Sequence, residues 1–84
     1  MTTYKIYDTE NGLFANAGLH RFTKFGKTWS MEGSLKSALT HRFNSYWAKR
    51  NDLHVPDSWL VMEFSANGVH CYPAKRLHER PAKK

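Results

Sequence analysis

The sequence predicts an α+β fold, an antiparallel sheet of two β-hairpins with one amphipathic helix across one face. Three observations predict it. Asn11-Gly12 joins two short runs of β-branched and aromatic residues, and Asn67-Gly68 joins two more; both dipeptides suit tight hairpin turns. Between them, Leu35, Ala38, Leu39, Phe43, Tyr46 and Trp47 recur at helical spacing.

The first strand is expected over residues 3–7, Thr-Tyr-Lys-Ile-Tyr. Leu13-Phe14-Ala15 returns as its partner after the turn. Residues 19–29 read as a strand or an ordered loop, with Gly26-Lys27 as a further turn signal. The helix is expected from Met31 to Arg50. Ser30 or Ser34 is its N-cap, and Lys49 and Arg50 complement its negative end. Asn51-Asp52 ends it, and Pro56 keeps the next loop non-helical. Residues 58–65 form the strongest strand and Val69–Tyr72 its return. Pro73 suits the end of an edge strand, and residues 74–80 suit one or two helical turns. Period-two alternation puts Leu60, Met62 and Phe64 on one face and Trp59, Val61 and Glu63 on the other. The first set, being wholly apolar, is assigned to the core with Ile6 and Phe14.

The chain has 84 residues, enough for one domain, expected over 1–80 with a frayed basic tail at 81–84. Fourteen percent aromatic residues argue for a folded chain. No apolar run has the ~18–20 residues of a membrane span, and the N-terminus carries no apolar segment of a secretory signal. The single cysteine, Cys71, makes no internal disulfide and is expected as a buried structural thiol in a reducing cytoplasm. The five histidines have no metal-ligand spacing, so no metal is expected. Neither paired carboxylates nor a nucleophile–base constellation is recognisable. The chain is therefore expected to be no enzyme and to need no cofactor.

Charge is the informative property. The net charge is +6, and residues 18–50 carry all of it, since the flanking −1, −3 and +4 blocks cancel. Excess positive charge attracts polyanions. The candidate surface for nucleic acid, or for another partner, is Arg21, Lys24, Phe25, Lys27, Arg42, Lys49 and Arg50. Phe25 is the candidate to stack on bases, whereas Trp29 is expected in the core. Trp59 and Val61, on the sheet face opposite the expected core, are candidate anchors of a protein interface. Monomer and homodimer both remain open.

The segments Asp8-Thr-Glu-Asn-Gly-Leu-Phe14, Phe22-Thr-Lys-Phe-Gly-Lys-Thr-Trp29 and Leu35-Lys-Ser-Ala-Leu39 match the pattern DxxxGLF … FxKxGKxW … LKxxL. In this the first half of the chain resembles a group of small proteins of tailed bacteriophages. The resemblance implies a viral origin and a place in the cytoplasm of the bacterial host. It also implies a host-takeover or counter-defence role. The expected function is then a non-catalytic phage accessory protein that binds nucleic acid or a nucleoprotein machine through its basic surface. The alternative is an inhibitor that binds a host or defence protein without touching nucleic acid.

Overall fold

The computed structural model describes residues 1–80, and the basic tail at 81–84 lies outside the described residues. In chain order the elements are β1 (Thr3–Asp8), β2 (Leu13–Ala15), β3 (Phe22–Thr23), α1 (Glu32–Phe43), α2 (Tyr46–Arg50), β4 (Trp59–Ser65), β5 (Gly68–Pro73) and α3 (Ala74–Glu79). The two expected hairpins are present, and β1 and β4 fuse them into one antiparallel sheet of order β3-β2-β1-β4-β5. The five-residue segment from Phe25 to Trp29 returns to β1, where Trp29 and Tyr4 exchange both backbone hydrogen bonds at 2.8 Å.

Asp8 organises the first turn. Its carboxylate accepts hydrogen bonds from the Glu10 backbone N–H (2.9 Å) and the Asn11 side chain (2.7 Å). Gly12 takes the positive φ of +68° that the reversal needs. Burial alone pushes this carboxyl up. The hydrogen bonds from Asn11 and Glu10 outweigh that and hold it below the usual carboxylate range. In the second hairpin the turn residues are Ala66 and Asn67, and Gly68 pairs with Ser65.

Residues paired across antiparallel strands share a face. Ile6, Val61 and Tyr72 are in one row, and Asp8 and Trp59 in the next. All five are buried, and Ile6, Val61, Tyr72 and Trp59 share one core with Leu35, Leu39 and Phe43 of α1 and Leu77 of α3. The core therefore lies on the Trp59 and Val61 side, the reverse of the sequence expectation. Trp59 is 8% exposed and Val61 fully buried, so neither can anchor a surface interface. Phe14, also expected in the core, is on the opposite face with Leu60, Met62 and Phe64, all of them half-buried.

The expected single helix is two. Ser45 adopts an extended conformation, and its hydroxyl accepts the Ala48 N–H at 3.1 Å, which makes it the N-cap of a new helix. The break rotates Tyr46 and Trp47 off the apolar stripe, leaving them 77% and 59% exposed, and buries Ala48 instead. At the other end, Met31 rather than a serine occupies the N-cap position of α1, without a side-chain bond. Glu32 binds the Tyr72 hydroxyl of β5 and the Arg80 guanidinium (2.6 Å), tying α1 to the sheet and to the end of α3. Burial and this hydrogen bond hold the Tyr72 phenol well above its ordinary value. Among the described residues no helix is long and apolar enough to cross a membrane.

Candidate nucleic-acid or partner interface

The candidate residues fall into two groups, one in the loop after β3 and one at the α1–α2 corner, with Arg21 just before β3. The first cluster is the loop after β3. Gly26 has φ +62° and lies so close to β2 that a Cβ would sit 2.7 Å from the Ala15 carbonyl oxygen and 2.6 Å from the Phe14 Cβ. Gly26 N–H donates to the Thr23 hydroxyl (2.9 Å), and Lys27 N–H to the Ala15 carbonyl (2.8 Å). The Lys5 ammonium donates to the Phe25 carbonyl at 2.6 Å. These bonds fix the loop backbone and display Lys24, Phe25 and Lys27 outward. Phe25 is 79% exposed. Trp29 is buried, as expected, with the Lys27 ammonium 5.7 Å from its ring centre.

The second cluster is the α1–α2 corner. The Arg42 guanidinium lies 5.3 Å from the Phe43 ring centre, a cation–π contact that leaves Arg42 half-buried. Its Nε is buried with no hydrogen-bond partner among the described residues. Lys49 and Arg50 project from α2, and Arg50 donates to the Tyr46 hydroxyl at 2.9 Å. Arg21 precedes β3, whose Phe22 ring packs on Trp59 (5.0 Å), which in turn packs on Phe43 (5.6 Å). This ring chain joins the β3 edge to the corner. The loop cluster, by contrast, is tied through Lys5 and Phe14 to the far side of the sheet. Among the described residues no hydrogen bond or ring contact joins the two clusters directly.

What the two clusters share is uncompensated charge. Among the described residues the ion pairs are Lys75–Asp57 and Arg80–Glu32, and the His54 ring is 2.9 Å from the Asp52 carboxylate. None involves Arg21, Lys24, Lys27, Arg42, Lys49 or Arg50. Helical spacing put Tyr46 and Trp47 on the apolar stripe; the restart at Ser45, a legible cap signal, exposes both beside Lys49 and Arg50. It also placed Cys71 in the interior; on the edge strand β5 the residue is exposed. Among the described residues no three His, Cys, Asp or Glu side chains are grouped to hold a metal.

His78 marks the other side of the α1 end. Its Nε2 is 2.8 Å from the Asn44 Oδ1, and its ring packs edge-on to Phe43. Burial, followed by the Lys36 charge, lowers its pKa from 6.5. The folded state therefore favours neutral His78, whereas the unfolded chain takes up the proton as pH falls through 6.5. The stability this group contributes is complete above pH 6.5 and is lost as pH falls through the lower folded value. A urea-denaturation series across this range is expected to show stability falling on acidification, and the His78→Gln protein a flatter profile. An unchanged slope in His78→Gln would assign the effect elsewhere. Asp8, also depressed, adds a second loss below the carboxylate range.

Comparison of the chain with protein-family models, with curated proteins and with solved structures finds no match.

Proposed function

We propose that this chain is a non-catalytic accessory protein that binds nucleic acid, alone or within a nucleoprotein machine, through its two basic clusters. The resemblance to tailed-phage proteins supports a role in host takeover or counter-defence, in the cytoplasm of an infected bacterium. One observation carries the reading: all three strongly exposed aromatic side chains, Phe25, Tyr46 and Trp47, sit among cations that no described carboxylate neutralises. Free cations neutralise phosphates and release counterions. Exposed aromatic faces add stacking on unpaired bases.

The alternative, an inhibitor that binds a host protein, loses its two anchors because Trp59 and Val61 are core residues. It keeps the basic clusters, directed against an acidic protein surface.

The test is a titration with single- and double-stranded DNA and RNA at two salt concentrations. Affinity is expected to fall steeply with salt. Reversing two charges, Lys49→Glu with Arg50→Glu or Lys24→Glu with Lys27→Glu, should lower the log–log slope by roughly one for each phosphate contact removed. Absence of binding at low salt overturns the nucleic-acid reading and leaves the acidic protein target.

A further inference from the structure

The face of the sheet away from α1 and α3 has a composition of its own. Register places Tyr7, Leu60 and Pro73 in one row, Lys5, Met62 and Cys71 in the next, and Thr3, Phe64 and Val69 in a third. Phe14 stands beside Tyr7, with ring centres 5.0 Å apart. Both carboxylates of the strands, Asp8 and Glu63, are on the other side, in register with Trp59 and Tyr4. This face therefore carries no strand carboxylate and one strand cation, Lys5. The Lys5 ammonium is 5.3 Å from the Phe14 ring centre, and its hydrogen bond to the Phe25 carbonyl joins the face to the loop of Lys24 and Lys27.

We propose that this outer face, entered from the Phe25 loop, is a binding platform for single-stranded nucleic acid. The inference rests on the reading above and narrows its ligand class. Charge complementarity favours this occupant. A face whose strands carry no carboxylate, with Lys5 on it and Lys24 and Lys27 in the loop bound to it, suits a polyanion. A second copy would bring its own Lys5 and a further +6 of net charge against the same surface. The aromatic residues favour a single strand. Bases in a duplex are stacked on one another, whereas unpaired bases offer their faces to Tyr7, Phe14, Phe64 and the exposed Phe25. A flexible strand also reaches a site that lies on the opposite side of the sheet from the core helices, where the α1–α2 corner holds the second basic cluster.

The experiment measures fluorescence anisotropy of a labelled oligothymidine about 15 nucleotides long, and of a duplex of equal length. The proteins compared are the unmodified chain, Tyr7→Leu with Phe64→Leu, and Lys49→Glu with Arg50→Glu. Leucine keeps the face apolar and removes the rings, and thermal melts check that each variant is folded. The ring-deleted protein is expected to bind the single strand about tenfold or more weakly, with duplex binding unchanged. A second readout needs no substitution. Cys71 shares a row with Met62 on this face, so saturating oligothymidine should slow its reaction with a thiol reagent. If the unmodified chain binds neither probe at low salt, this proposal and the nucleic-acid reading both fail. If it binds, and the Lys49→Glu, Arg50→Glu protein is impaired while ring deletion and Cys71 reactivity show no effect, the outer platform alone fails. If the chain sediments as a dimer that ring deletion dissolves without changing oligothymidine binding, a second copy covers the face and the proposal is overturned.

Discussion

Trp59→Ala is expected to leave the protein close to unfolding. Trp59 is 8% exposed and packs between Phe22 and Phe43, so it joins the β3 edge to the end of α1 across β2 and β1. Removing a buried indole typically costs about 3–5 kcal/mol, through lost transfer energy and the cavity left behind. A chain of this length has a total stability of roughly 4–13 kcal/mol, so the substitution removes a large share of it. Trp59→Phe retains a ring for both neighbours and should lose much less. The urea midpoint of each variant checks the expectation. A loss below about 1 kcal/mol in Trp59→Ala, the size expected of a surface position, would return this residue to the solvent face that alternation along β4 suggested.

Gly26→Ala is expected to be the most damaging single-methyl change. Two penalties add at this position. The backbone is at φ +62°, where a side chain costs about 1 kcal/mol or more. The new methyl would also stand 2.7 Å from the Ala15 carbonyl oxygen and 2.6 Å from the Phe14 Cβ, neither of which is the free end of a flexible chain. Overpacking of this kind adds about 1–3 kcal/mol. The loop must lift from β2, which breaks the Lys27–Ala15 bond and moves Lys24, Phe25 and Lys27 together. Lower stability and weaker polyanion binding should therefore appear in the same protein. Gly33→Ala is the control: it lies in α1 with nothing within 4 Å of the added atom. There alanine should stabilise the helix by up to about 1 kcal/mol. Equal effects at the two glycines would remove the argument from packing.

Local features of the fold were legible in the sequence, and long-range ones were not. Both hairpins, the start of the main helix and the last helix follow from turn dipeptides and periodicity over a few residues. The inner face of β4 does not, because Trp59 and Val61 are as apolar as Leu60 and Met62. Glu63 tipped the reading the wrong way. It tolerates the helix side because it lies near the Tyr4 phenol, whose pKa is raised by burial first and then by Glu63 and Glu32. The choice of face rests on Ile6 and Tyr72, which flank Val61 in the sheet, and that pairing with β1 spans most of the chain. At the candidate interface, the cations were legible as charge and Phe25 as an exposed ring. The separation into two clusters was hidden, because it depends on Ser45 restarting the helix and on Lys5 holding the Phe25 loop from a distant strand.

The central position of β1 also sets the timing of folding. During synthesis the first strand leaves the ribosome before its main partner exists, since β4 lies more than half the chain downstream. Until then β1 has only the short β2 and the Trp29 bridge beside it, and β5 cannot dock without β4. Closing so long a loop is entropically slow. Folding should therefore be nearly all-or-none, with a nascent chain whose strand edges stay open to any other chain nearby until β4 emerges.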